Sequence, residues 1–389
     1  MSNIVIWGTG TAYRRFIDKF AAAVDFLIDN DSKKWGMSTD GLIIYPPEKL
    51  KEYKDALVIV CSMYYDEISM QLHEYGFEDY QIINSLDCSE EQIIKYGFFN
   101  NKVVRNCLES SGINFIDVGC RGGIPPLWKN LQKYLRVVGF EPDEEGYKAL
   151  MTDKPDNFLY LNAALSNKKS LIEFYVNSDL QTSSVFPIDE TYFKRFSAIS
   201  NIKNVDTVKI QADTLDNQLA QADIKDIDFI KLDTQGSELQ ILEGAIDTVS
   251  GSVLGIEAEV EFLPLYKGQP LFCDVDRFLR GKGFELFDLN SISWHRQNKL
   301  LNDLDLKYDI ERSKSQLVYA DALYFKSEAE IHRLFSGIND AEWKKSKALR
   351  FISICVLYDF LDYAIEIANI AREQNVLSTE EYKLIIEVL

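Results

Sequence analysis

The first 85 residues alternate short apolar runs with amphipathic stretches. Asn3-Ile-Val-Ile-Trp7 is a strand-length apolar block, broken by Gly8-Thr-Gly10-Thr11. Tyr13 to Ala23 has helical spacing, and Val24-Asp-Phe-Leu-Ile28 reads as a second strand closed by Asp29-Asn-Asp31. Ala56 to Cys61 is a buried-strand run, followed by a helix at Tyr65–Tyr75 that Gly76 is placed to end. The alternation predicts a small α/β unit with a parallel sheet, ending near residue 85. Residues 86–112 read as a helical connector, with Asp87 and Ser89 as caps and Glu90-Glu91 suited to a first turn.

A second α/β series runs from residue 113 to about 330. Strands are expected at Phe115-Ile-Asp117, Leu135–Phe140, Phe158–Leu161, Asp228–Asp233 and Val253–Val260, with Phe284–Phe287 and Ala322–Phe325 as a closing hairpin. In open α/β sheets ligands sit at the carboxyl ends of the strands. Asp117, Glu141, Asp233 and the pair Glu257/Glu259 fall at such ends, and this recurrence is the most informative pattern in the chain. Residues 331–389 read as a helical extension. Ser378-Thr-Glu-Glu381 has capping-box spacing ahead of its last helix. A packing or dimerisation role is expected for this extension, with a homo-oligomer as the outcome of the second alternative.

Composition narrows the function classes. The 61 acidic residues outnumber the 42 basic ones, and the net charge is −19. So acidic a chain is unsuited to nucleic acid or to anionic lipid. Six cysteines occur without a CxxC pair, which excludes zinc-ribbon spacing, and no metal ligand set is assigned. The start of the chain lacks a basic stretch followed by an apolar core, so a cytoplasmic location is expected. The apolar stretch Phe351–Ala371 holds Asp359, Asp362 and Glu366, which argues against a membrane span.

The chemistry concentrates in two segments, Phe115-Ile-Asp-Val-Gly-Cys-Arg-Gly-Gly123 and Gly139-Phe-Glu-Pro-Asp143. The first is a strand ending in an acid, then a glycine loop that lets backbone approach a ligand closely. Asp117 at the head of the loop suits an ammonium group rather than pyrophosphate. Glu141, 24 residues on, can accept hydrogen bonds from both hydroxyls of a ribose. Ammonium, ribose and no phosphate describe S-adenosylmethionine.

Here the chain resembles the FkbM-type methyltransferases, class I enzymes that use S-adenosylmethionine, over roughly residues 105–326. The marks are Asp117–Gly123, Gly139–Asp143, Asn162-Ala-Ala-Leu-Ser166, Thr214-Leu-Asp216 and the block Asp228–Ala245. The resemblance implies a class I Rossmann-like sheet and O-methyl transfer, often to a sugar or polyketide hydroxyl. It implies that Asp117, Gly119, Glu141 and the neighbourhood of Asn162 and Ala163 hold the cofactor. Cys120, Arg121, Gly123, Pro142 and Asp143 complete the expected cofactor set. Arg121 stands where many members have Asn, and Gln235 where many have Glu.

Transfer to an alcohol also needs a base, which typically contributes about 10²–10⁴-fold. Asp233, Glu259 and His295 are the candidates. Glu261 shares an acidic face with Glu259, suited to sugar hydroxyls, and Glu238 is placed to cap the helix after Asp233 or to reach the acceptor. Arg277, Arg280, Lys282 and Arg296 are candidates for an anionic group on the acceptor.

The first unit keeps a separate question open. Gly8-Thr-Gly10 with Asp29 about 20 residues later matches half of a dinucleotide fingerprint, but Tyr13 replaces the third glycine. The segment also resembles the small nucleotide-binding domains ahead of sugar-modifying acyltransferases, which implies a nucleotide-sugar there. The expected function is therefore O-methylation of a sugar in a surface glycan or its precursor. The competing reading is an NAD(P)- or nucleotide-sugar-binding protein whose methyltransferase domain is vestigial.

Overall fold

The computed structural model describes residues 3–20, 24–78, 81–85, 90–296 and 314–389. The chain divides into two compact units, one of residues 1–111 with 340–389 and one of residues 112–339.

In the first unit, β1 (Ile4–Trp7) lies at the centre of a sheet. It pairs in parallel with β2 (Phe26–Ile28) on one side and β5 (Leu57–Val60) on the other. With β3 (Ser38–Thr39), β4 (Leu42–Tyr45) and β6 (Ile82–Asn84) the order is β3-β4-β2-β1-β5-β6. Strand side chains alternate between faces, and both faces are covered. Ile6, Leu27 and Ile59 pack with Tyr13, Phe16 and Ile17 of helix α1 (Thr11–Phe20). Val5, Trp7 and Val58 pack with Ile68 and Leu72 of helix α2 (Tyr65–Glu74). The helix expected at Tyr13–Ala23 thus starts two residues earlier, and residues 21–23 lie outside the described residues. The expected caps Asp87 and Ser89 lie outside them too.

Helices Glu90–Asn100 and Lys102–Ser111 belong to this unit, together with Ala341–Leu357, Leu361–Glu373 and Thr379–Ile386. The apolar stretch Phe351–Ala371 is two helices, broken where Asp359 takes a positive φ of 67°. No helix among the described residues is long and apolar enough to cross a membrane.

In the second unit, β7 (Ile113–Val118), β8 (Leu135–Phe140), β9 (Phe158–Leu161), β13 (Phe229–Leu232) and β14 (Gly255–Glu261) are parallel. The last strand, β16 (Gln316–Lys326), runs antiparallel between β14 and β15 (Phe284–Trp294). The order β15-β16-β14-β13-β7-β8-β9 is the sheet of a class I methyltransferase. The closing hairpin expected at 284–287 and 322–325 is present, and its strands are 11 residues each.

A second, three-stranded sheet was absent from the sequence expectation. It consists of β10 (Ala164–Leu165), β11 (Ser170–Asn177) and β12 (Asn204–Asp213), in the order β10-β12-β11. Residues 204–209 of β12 are all exposed, so no one-sided apolar alternation marks the strand.

Candidate active site

A cleft of about 530 Å³ opens at the carboxyl ends of β7, β8 and β13. Two loops meet there in a way that fixes one residue. Gly119 follows β7 with φ 79°, and a Cβ on it would lie 2.1 Å from the carbonyl oxygen of Asp233, after β13. Only glycine fits such a contact, so the cofactor loop and the candidate base are held together.

Asp117 is the penultimate residue of β7 and is 1% exposed. It does not line the cleft; Val118 and Gly119 do. Neither of its carboxylate oxygens has a hydrogen-bond partner. Burial pushes its pKa up to about 7, against the pull of Lys231, whose Nζ is 3.9 Å away. A buried acid without a donor is costly and calls for an explanation. A cationic group brought to this loop would supply it, so the donor set fits the ammonium end of S-adenosylmethionine.

Glu141, first after β8, lines the cleft, and burial raises its pKa above the usual range. One of its oxygens accepts from the backbone N–H of Asp143 at 2.9 Å. Asp143 caps the helix Glu144–Thr152 by accepting from the N–H of Gly146 at 2.8 Å, and Arg121 Nη1 lies 3.3 Å from the same carboxylate. Arg121 therefore ties the loop after β7 to the loop after β8. Asn162 acts from behind: its Nδ2 donates to the carbonyls of Glu141 and Pro142 at 2.9 and 3.1 Å. Of the ten expected cofactor residues, Gly119, Arg121, Glu141, Pro142, Asp143 and Ala163 line the cleft. Cys120, Gly123 and Asn162, like Asp117, do not.

The other half of the cleft is built around Asp233. Lys231 Nζ lies 3.0 Å from its carboxylate. In the sheet, Lys231 sits in register with Asp117 on β7 and Glu257 on β14, so one cation serves an acid on either side. Burial works to raise the pKa of Asp233. Lys231 and hydrogen bonds from Glu259 and Gln235 outweigh it and hold the carboxyl below its ordinary value. Burial and the neighbouring charges of Asp233 and Glu261 drive Glu259 the other way, well above the usual range. The two neighbouring acids are thus pushed in opposite directions, as close carboxyls in a site are.

Gln235 organises that pair. Its Nε2 donates to both oxygens of Glu259 at 3.0 Å and to Asp233 at 3.3 Å, and its Oε1 accepts from Tyr266 at 3.0 Å. Its backbone has a positive φ of 58°, and its carbonyl is held by Ser184 Oγ at 2.7 Å. A strained non-glycine residue pinned on every side is the kind found at functional sites. Glu238 is buried rather than facing an acceptor. It accepts from the N–H and hydroxyl of Thr234, and burial raises its pKa to about 7.

His295 follows the end of β15 and does not line the cleft, whereas its neighbour Trp294 does. Arg277 and Arg280 are paired with Asp274 and Asp276, and Arg296 donates to Gln316 at 2.8 Å; none of the three lines the cleft. Sequence reasoning missed Lys231, Tyr266, Trp294 and Tyr319. Lys231 was findable, because two residues before Asp233 on a strand places it on the same face.

The family comparison agrees with this geometry. The model of the Methyltransferase FkbM domain matches residues 127–286, inside the region of resemblance, and a C2185-like N-terminal domain matches residues 1–83. No curated protein matches the chain. Among solved structures, similar ones include magnesium protoporphyrin IX methyltransferase from Synechocystis PCC 6803 (11% identity, 62% of this chain and 86% of that one, TM-score 0.28). A TehB-like methyltransferase from Corynebacterium glutamicum is similar at 13% identity, 68% and 96% coverage and TM-score 0.25. A putative tRNA (m1A22) methyltransferase from Streptococcus pneumoniae is similar at 12% identity, 74% and 98% coverage and TM-score 0.27. The fold assignment rests on the strand order, not on these. The chain carries an FkbM methyltransferase domain behind a C2185-like N-terminal domain, and it is an enzyme whose methyl donor is S-adenosylmethionine.

Proposed function

We propose that the enzyme methylates a hydroxyl of a sugar, in a glycan or its precursor, with Asp233 as the base. The observation that carries this reading is Asp233 lining the cleft with Lys231 Nζ 3.0 Å from its carboxylate, its carboxyl held low while that of the neighbouring Glu259 is driven up. S-adenosylmethionine supplies a methyl already activated by its sulfonium. What remains for the protein is to align the acceptor oxygen and to take its proton. Asp233 lies against Gly119 of the cofactor loop, so a hydroxyl held by its carboxylate is also held near the donor. Glu141 is the acid for the ribose hydroxyls, and Asp117 the one for the ammonium group. Glu259, as an acid, donates to Asp233 and stabilises the charge that Asp233 carries.

The sugar assignment is supported by the rest of the cleft wall. Trp294 and Tyr319 line it with their rings 5.5 Å apart, an aromatic wall against which the apolar face of a sugar ring can rest. Tyr266 lines the same wall, its hydroxyl donating to Gln235 Oε1 at 3.0 Å. The test is transfer of labelled methyl from S-adenosylmethionine to a panel of sugars, nucleotide-sugars and polyketide alcohols. Labelling of a sugar hydroxyl supports the reading. Labelling confined to amines or to polyketide alcohols overturns it.

A further inference from the structure

The side chain of Gln235 serves the site in one orientation only. A carboxamide has donors at one end and an acceptor at the other, and the two ends are alike in shape, so its partners decide which way it faces. Its Nε2 meets both oxygens of Glu259 and one of Asp233. Turned over, the amide would set its oxygen against those carboxyls. Among the described residues one side chain donates to Oε1 at the other end, the hydroxyl of Tyr266.

Tyr266 is built to keep that contact. It is 1% exposed, so the hydrogen bond is shielded from water. The hydroxyl has two acceptors in reach, Gln235 Oε1 at 3.0 Å and the carbonyl of Thr182 at 2.9 Å. Asn177 Nδ2 already donates to the Thr182 carbonyl at 2.6 Å, which leaves the single Tyr266 proton for Gln235. Burial beside Glu261 and Glu259 drives the phenol well above its usual pKa, so it stays a donor at neutral pH. The backbone N–H of Tyr266 donates to Gln269 Oε1, and that of Lys267 to the carbonyl of Pro187 at 2.8 Å. The ring lies edge-on to Phe193, with centroids 5.7 Å apart. Thr182 ends the turn Leu180–Thr182 that follows β11, and it lines the cleft together with Tyr266. One chain of hydrogen bonds thus runs from the second sheet through Thr182, Tyr266 and Gln235 to the two acids.

We infer that Tyr266 is a positioning residue of the methyl-transfer site, its hydroxyl holding the Gln235 amide with the nitrogen turned to Asp233 and Glu259. The catalytic effect depends on Asp233 being the base; the titration of Asp233 does not. The charged and titratable groups around Asp233 are Lys231 on its own strand, Asp117 on β7, Glu257, Glu259 and Glu261 on β14, Glu238 on the following helix, and Tyr319 and Asp321 on β16. Tyr266→Phe leaves all of these in place and removes only the hydroxyl behind Gln235.

The test follows the Asp233 carboxyl by carbon-13 NMR in the full chain labelled at aspartate, the signal being the one lost in Asp233→Asn. In Tyr266→Phe its midpoint should rise by about 0.5–1 pH unit, because a carboxylate that loses a donor is harder to ionise. Gln235→Met should raise it at least as far, and adding Tyr266→Phe to that variant should raise it no further. In the unaltered chain, the side-chain amide signals lost in Gln235→Met should follow the Asp233 titration, a readout that needs no Tyr266 variant. Tyr266→Phe should still bind S-adenosylhomocysteine, which shows that it folds. An unmoved midpoint in folded Tyr266→Phe overturns the inference. So does a further rise when Tyr266→Phe is added to Gln235→Met, or a Gln235 amide that ignores Asp233 in the unaltered chain. If Asp233→Asn leaves kcat intact, the base assignment fails while the titration still decides the role of Tyr266.

Discussion

Glu141, Asp117 and Asp233 each make a separable contribution to the site. With Glu141 in its proposed role as acceptor for both ribose hydroxyls, Glu141→Ala removes a charge-assisted pair of hydrogen bonds worth about 1.5–3 kcal/mol. S-adenosylhomocysteine affinity should fall roughly 10–150-fold by calorimetry. Asp117, with a pKa of about 7, is partly protonated at neutral pH. Pairing with an ammonium group drives it to the ionised form, so cofactor binding at pH 7 should release about half a proton. The dependence of binding heat on buffer ionisation measures this, and Asp117→Asn should abolish it. Asp233→Asn should lower kcat by about 10²–10⁴ with S-adenosylhomocysteine binding intact. Gln235→Glu would place a third carboxyl among Asp233 and Glu259, replacing a donor to both with an acid. The acidic limb of the kcat pH profile should then move to higher pH, because the added charge raises the pKa of Asp233.

The elements were legible to the extent that burial imposes a rhythm on sequence. β5, β7, β8 and β13 are nearly continuous apolar runs because both faces of the sheet are covered. The acids Glu141 and Asp233 at the ends of β8 and β13 mark the cleft in the sequence itself. β12 was illegible because residues 204–209 are exposed, and the cleft wall carried by residues 174–202 was illegible with it. Pairings across the chain, such as Arg121 with Asp143 or Gln235 with Glu259, depend on loop geometry that no spacing encodes. The last helix shows the opposite case. Ser378 Oγ accepts from Glu381 N at 3.2 Å, and the Glu381 carboxylate accepts from Ser378 N at 3.0 Å, the box its spacing predicted. Ser378→Ala should cost about 1 kcal/mol in urea unfolding.

The whole molecule should be most stable on the acid side of neutrality. Asp117 and Glu238 are fully buried and titrate near 7 in the folded chain, above their ordinary values of 3.8 and 4.5. Between those values and 7 the folded chain holds protons that the unfolded chain has released. Their contribution is therefore present below the ordinary carboxylate range and is lost as pH rises through 7, by about 1.4 kcal/mol per pH unit for each group. Asp29, Asp213 and Glu381 have lowered values and act in the opposite sense, losing their contribution as pH falls through them. Calorimetry should find a higher Tm at pH 5 than at pH 8, and Glu238→Gln should flatten the difference. The order in which chain leaves the ribosome adds a constraint of another kind. β16 slots between β14 and β15, so the catalytic sheet cannot close until residues 316–326 have emerged. The first unit, although it is made first, shares its compact body with residues 340–389. At about 5–20 residues per second, both units spend most of synthesis unfinished, and a stop codon late in the message would cost the earliest-made domain as much as the last.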